Sequence, residues 1–221
     1  AVIAGDYMAP LAEVLARQMR VFVPDLPGCG GSNALRVPTD VAGMAEGLRA
    51  WMRREGLEGV LLAGNSFGAQ VATALAVIDP PLVSSVVLIG PTMDPTSRLP
   101  LTFVTRSIAL ALTEPIPLHL MWLRDFVRAG LPGALACSRA AWVDHIESRL
   151  PLLAAPALVI RGESDRLVSQ GWAETVTRTL PRAELKVIAG AGHAAHYSQP
   201  EVVGAGILGF ARSPAMPVSG R

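Results

Sequence analysis

The chain has 221 residues, 51% of them hydrophobic, a formal net charge of +1 and two cysteines. That length gives one globular domain with a sizeable core, and the near-neutral charge removes any electrostatic reason to expect nucleic acid or an anionic membrane as partner. Cys29 and Cys137 are too few and too far apart in sequence for a disulfide framework or a metal site, which fits a reducing compartment such as the cytoplasm. No uninterrupted apolar run reaches the roughly 18 residues of a membrane span, and no charged segment followed by an apolar one opens the chain, so neither a span nor a signal peptide is expected.

Short apolar runs alternate with helical patterns along the chain. Met8, Leu11, Leu15 and Met19 share a helical face. Residues 20–24 read as a buried strand, and Asp25-Leu26-Pro27-Gly28 as the turn leaving it, with Cys29 a packed thiol. Val41, Met44, Leu48 and Trp51 mark a second helix that Thr39 is placed to cap. A strand is expected at 59–63, then a helix carrying Phe67, Val71, Ala74, Leu75 and Ile78, stopped by Asp79-Pro80-Pro81. Further strands are expected at 85–89, 157–161 and 184–189. A last helix begins near Pro200 with Val203, Ile207 and Phe210 on one face. Continuous apolar strands alternating with helices predict an α/β fold, a mostly parallel sheet with helices on both faces.

Residues 91–156 break this alternation. They hold helix-like pieces at 102–112, 117–129 and 134–150, parted by Pro and Gly, and read as a helical lid inserted into a core of 1–90 and 157–212. In the lid, Trp122 and Trp142, with Met121 and Phe126, are candidates to line an apolar substrate pocket, and Arg124 and Asp125 read as a solvated face. The Pro/Ser/Gly-rich residues 213–221 read as a disordered tail.

The chemistry concentrates in Gly64-Asn65-Ser66-Phe67-Gly68, a G-x-S-x-G pattern between an expected strand and an expected helix. A turn that tight leaves no room for side chains two before and two after the serine, which accounts for both glycines. It holds the hydroxyl above the sheet edge and sets it over a helix N-terminus, where the Phe67 N–H can face an oxyanion. A serine hydroxyl needs a base. His193, in Gly190-Ala191-Gly192-His193, follows an expected strand at the same edge of the sheet. His196 competes with it, its plainer role being to pack or cap the final helix. His119 and His145 lie in the lid. Asp165, just past 157–161, can hold the second imidazole nitrogen. Asp94 is the alternative acid, otherwise a turn former, and Glu163 reads as a solvated turn residue. Along the chain these candidates then come in the order Ser, Asp, His.

On these residues the chain resembles the α/β-hydrolase fold superfamily, in its small-molecule esterase and carbon–carbon hydrolase branch. The resemblance rests on Asp25-Leu26-Pro27-Gly28-Cys29-Gly30-Gly31-Ser32, the Gly64 to Gly68 turn, Arg161-Gly162-Glu163-Ser164-Asp165, and Gly192-His193 with Gln199-Pro200-Glu201 after it. It implies Ser66 as nucleophile, His193 as base, Asp165 as acid, and 91–156 as a lid over the site. It also implies a second oxyanion donor at Ala1 or Val2, and two or three family strands upstream of a chain that opens without methionine. The expected activity is hydrolysis of a small, fairly apolar ester, with no cofactor or metal. Carbon–carbon cleavage of ring-fission diketones, perhydrolysis or acyl transfer would use the same residues. A catalytically weak ligand-binding member of the fold is the alternative of a different class.

Overall fold

The computed structural model describes residues 4–32 and 40–213. Four strands form a parallel sheet in sequence order: β1 (Val60–Asn65), β2 (Val83–Ile89), β3 (Ala157–Gly162) and β4 (Ala183–Ile188). The strands expected at 59–63, 85–89, 157–161 and 184–189 are thus present within one or two residues. Parallel neighbours need crossovers, and α3 (Phe67–Ile78) and α7 (Gln170–Thr179) supply two of them. Helix α7 was not anticipated, although Ser169 caps it by accepting from the Trp172 N–H and Trp172, Ala173 and Val176 form its buried face.

The period of the strands sorts their side chains between two cores. Val86, Leu88, Ala157 and Val159 pack with α2 (Val41–Arg54), α3 and α7 on one face of the sheet. Val87, Ile89, Leu158 and Ile160 pack with α1 (Ala9–Ala16) and α9 (Pro200–Arg212) on the other. Each such Val, Leu or Ile contributes about 1.5–3 kcal/mol when fully buried, which is why the central strands read as unbroken apolar runs. Helix α2 is capped by Asp40, whose carboxylate accepts from the Gly43 N–H at 2.8 Å. The cap expected at Thr39 lies outside the described residues, as do all but Ser213 of the 213–221 tail.

Residues 20–24 do not form the expected strand. They run without ladder bonds, and Phe22 and Val23 are exposed. A strand exists only where a neighbour completes its hydrogen bonds, and a cavity of about 930 Å³ lies between this segment and β1. Among the described residues, β1 therefore has a strand partner on one side only. Asp25 still fixes the turn that follows, accepting from the N–H groups of Gly5 and Gly31. Gly30 sits at φ 55°, and a Cβ there would collide with the Asp25 carboxylate.

Between β2 and β3 the chain makes helices α4 (Pro100–Thr113), α5 (Ile116–Val143) and α6 (Ile146–Arg149). The break expected between the second and third pieces is a kink inside α5, where Gly130 takes φ 65° two residues before Pro132. The insertion is closed at its base by Arg98, which donates to both Glu147 carboxylate oxygens at 2.7 and 2.9 Å and to the Asp144 carbonyl. Arg124 and Asp125 are not a solvated face. Asp125 is 1% exposed, accepting from the Ala4 N–H at 2.9 Å and from Arg124, which also pairs with Asp6. Packing of residues 4–6 against α5 buries Asp125 and leaves Arg124 half-buried, a contact with no local sequence signal. The lid also brings together two thiols that sequence distance had set apart: Cys29 and the α5 residue Cys137 are both buried and share a hydrogen bond.

Removing the cap of α2 with Asp40→Ala strands a first-turn donor and should lower unfolding free energy by about 1 kcal/mol, read as a lower urea midpoint at unchanged slope.

Candidate functional site

Strand β1 ends at Asn65, α3 begins at Phe67, and Ser66 makes the whole turn between them. Its backbone sits at φ 54°, ψ −116°, the one positive-φ non-glycine among the described residues. A residue with a Cβ pays for that conformation, and such strain persists only where the surroundings enforce it. The Ser66 N–H donates to the Ile89 carbonyl at 2.9 Å, while its own carbonyl accepts from the Ala69 N–H at 3.0 Å. A Cβ at Gly64 would lie 2.3 Å from the Gly68 carbonyl oxygen, so this glycine is obligatory. Gly68 is different, because a Cβ there meets nothing within 4 Å. The expectation that both glycines relieve a clash is thus corrected: the crowding is one-sided, since Gly64 points at the helix backbone and Gly68 points away from the turn. The Phe67 N–H stands in the first turn of α3, where helical N–H groups have no helical acceptor. Ala1, the expected second donor, lies outside the described residues.

His193 is 4% exposed, and its Nδ1 lies 2.8 Å from Asp165 Oδ2. The other Asp165 oxygen accepts from the N–H groups of Leu167 and Val168, at 2.8 and 2.9 Å. Burial works against the charge of the Asp165 carboxyl, but His193 and these two N–H groups hold it below the usual carboxylate range. For His193, burial alone would favour the neutral ring, yet the charge and hydrogen bond of Asp165, helped by Glu114, raise its pKa above 6.5. Its Nε2 is buried and has no hydrogen-bond partner. Ser66 and His193 both line the 930 Å³ cavity, together with Leu167 and the lid residues Ser107, Leu110, Trp122 and Phe126.

The rival residues fall elsewhere. Asp94 accepts from the Thr96 N–H, Arg106 and Ser169, binding the start of the lid to the loop before α7. The His196 ring is fully buried edge-on against Tyr7, its centroid 4.4 Å from the tyrosine's, and burial with His193 nearby brings its pKa down to about 3. It packs against Tyr7 and caps no helix, both its ring nitrogens being without a hydrogen-bond partner among the described residues. Glu163 is an exposed turn residue, but it also accepts from the Gly190 N–H at 2.8 Å and so steadies the His193 loop. Trp122 joins the cavity wall, its indole N–H buried and unpartnered, whereas Trp142 is not part of that wall. Met121 packs against the small cluster of Tyr7, Leu118 and Ala194.

Four supporting residues carried no signal as such in the sequence. Asn65 donates to the Ile89 and His193 carbonyls at 3.1 and 3.3 Å and accepts from the Tyr7 hydroxyl, tying the serine turn to the histidine loop. Buried Arg161 donates to the carbonyls of Glu163, Asp165 and Val168, which shapes the aspartate loop from inside. Gly90, at φ 51°, lets His193 lie against the end of β2; a Cβ there would stand 2.9 Å from the imidazole. Glu114, from the lid, accepts from the Ala194 N–H at 3.2 Å. Among the described residues, no group of three or more His, Cys, Asp or Glu could hold a metal ion, and no helix is long and apolar enough to cross a membrane.

Residues 2–205 match the model of the Alpha/beta hydrolase family. The chain is 29% identical to part of the polyketide synthase ThaQ of Burkholderia thailandensis, over 94% of this chain but 11% of that protein, so it spans about a ninth of that relative's length. It is 27% identical to a 2-hydroxy-6-oxononadienedioate/2-hydroxy-6-oxononatrienedioate hydrolase of Pseudomonas putida, over 93% of this chain and 82% of the other. It is 28% identical to the pimeloyl-[acyl-carrier protein] methyl ester esterase of Nitrosomonas europaea, over 86% and 84%. Among solved structures, an esterase from Thermogutta terrifontis superposes with a TM-score of 0.74 at 24% identity, covering 95% of this chain and 86% of that one. A bromoperoxidase from Bacillus anthracis superposes with a TM-score of 0.82 at 16% identity, covering 96% and 88%. At these identities the structural likeness establishes the fold.

Gly90→Ala should push His193 from Asp165 while leaving the sheet in place. Because a displacement of about 1 Å at a reacting group costs on the order of 10²-fold, kcat/KM should fall by that order against any substrate the wild type turns over, with the far-ultraviolet circular dichroism unchanged.

Proposed function

Because the chain belongs to the alpha/beta hydrolase family, we propose that it hydrolyses a small, fairly apolar ester with Ser66 as nucleophile, His193 as general base and Asp165 as the acid that orients the base. The observation that carries this reading is the His193 ring itself. Its Nδ1 is held by Asp165 at 2.8 Å, while its Nε2 is buried and unpartnered beside a cavity that Ser66 also lines. With Nδ1–H donated to the carboxylate, Nε2 is the basic nitrogen.

Nε2 takes the proton of Ser66 as its oxygen attacks the ester carbonyl, and the Phe67 N–H and the N-terminal end of α3 stabilise the oxyanion. The imidazolium, stabilised by Asp165, then protonates the leaving alcohol. Water attacks the resulting acyl-enzyme with His193 again acting as base, and Ser66 is released. The apolar part of the substrate would lie against Leu110, Trp122 and Phe126, which favours a hydrophobic acyl group. Likeness to the Pseudomonas putida hydrolase favours a second reading, cleavage of a carbon–carbon bond beside a ketone, on the same residues.

A fluorophosphonate probe should label the wild-type protein and fail to label Ser66→Ala; equal labelling of the two overturns the nucleophile assignment. A panel of p-nitrophenyl esters of increasing acyl length, run beside a ring-fission diketone, separates the two substrate readings. The base must be neutral to act, and its pKa is raised above 6.5. The rate therefore falls as pH drops, with a midpoint above 6.5. Asp165→Asn should lower kcat by about 10⁴-fold by fixing the wrong tautomer, and should move the midpoint to lower pH.

A further inference from the structure

Glu114 sits badly by every local measure. It follows the last residue of α4, at the negative end of the helix dipole, where a carboxylate is unfavourable. It is 7% exposed. Among the described residues its recorded hydrogen bond is to one neutral donor, the Ala194 N–H, and it has no salt bridge. A buried carboxylate without a cationic partner is costly. The carboxylate also lies close against the facing loop: a Cβ on Gly192, immediately before His193, would stand 2.6 Å from Glu114 Oε1, so any larger residue there would displace it. Costs that converge on one side chain mark a position kept for function.

A cation does form beside it: the His193 imidazolium, present at low pH and again during the reaction proposed above. We infer that Glu114 is a positioning residue for His193, supplied by the lid: it fixes the histidine loop through the Ala194 N–H and adds a second negative charge beside the imidazolium. The charged groups that act on the ring are Asp165, hydrogen-bonded to it from the loop after β3, and Glu114, bonded to the next residue's N–H from the segment after α4; His196, close by in the same loop, packs edge-on against Tyr7. Burial pushes the Tyr7 hydroxyl's pKa up, and the charges of Glu114 and Asp165 push it further. The inference rests on His193 acting as base. It makes the strength of that base depend on the lid being seated, because the carboxylate arrives from α4 rather than from the core.

The test is Glu114→Gln, which keeps an acceptor for Ala194 and removes the charge. Its ester kcat/KM should show the acid limb moved down by about half a pH unit or more, with plateau kcat about three- to tenfold lower, KM unchanged and Ser66 still labelled by fluorophosphonate. A purely structural clamp predicts the wild-type limb and kcat, and that result overturns the inference. Should E114Q not fold, Gly192→Ala decides, since its methyl group forces the carboxylate off the loop. A limb moved to lower pH supports the inference and an unmoved limb overturns it. Wild-type protein that neither cleaves esters nor is labelled removes the hydrolase reading itself, and this one with it. An active wild type with an unmoved limb in the variant removes only this one.

Discussion

The backbone of Ser66 is forced through a conformation that a side-chain-bearing residue resists, and the surrounding elements are arranged so that it cannot relax. Below it, β1 and β2 are locked in parallel register from Leu61↔Ser85 to Asn65↔Ile89. Above it, α3 starts at the very next residue, its backbone so close to β1 that only glycine fits at position 64. The Ser66 N–H is taken by the Ile89 carbonyl of the neighbouring strand. Strain at one residue, of order 1–3 kcal/mol, is small against the burial of the strands and helix that impose it. Its return is a hydroxyl that stands clear of the sheet at a helix N-terminus.

The same edge of the sheet gathers the other candidate site residues. Asp165 follows β3 and His193 follows β4, and the two loops interlock where Gly162 passes under the Ala191 and Gly192 carbonyls too closely for any Cβ. Arg161 props the aspartate loop through three carbonyls, and Asn65 joins the serine turn to the histidine loop. The outcome is a buried imidazole with one nitrogen held by a carboxylate and the other left unpartnered. Burial matters twice here: it raises the electrostatic value of each pairing, and it makes any misplaced polar group expensive.

The helical insertion between β2 and β3 has a part in this arrangement beyond lining the cavity. Asp125 holds the Ala4 N–H on one side of the site, and Glu114 holds the Ala194 N–H on the other. Each is a lid carboxylate spent on a backbone donor of the core. Core loops and lid helices are therefore joined by polar contacts near the site, while the outer faces of α4 and α5 present Leu101, Val104, Ile108, Leu112, Leu120 and Leu123 to solvent.

Much of this was legible in the chain itself, because much of it is periodic or local. Unbroken apolar strands, helical stripes, and a serine between glycines at a strand-to-helix turn are written in neighbouring residues, and they single out Ser66 and His193 as candidates, with Asp165 and Asp94 as candidate acids. Contacts between residues far apart in sequence leave no such mark. Whether 20–24 pairs as a strand depends on what lies beside it, and in this fold a cavity does. Asp125 reads as exposed until the opening segment packs over it. Cys29 and Cys137 are 108 positions apart and yet touch. Asp165 was separable from Asp94 only by which carboxylate reaches the imidazole, and Glu114 could not be distinguished from a surface glutamate at a helix end. Short-range patterning thus determined the class of fold and the candidate side chains, whereas their partners were decided by tertiary packing, since only the folded chain settles which distant groups share a water-free space.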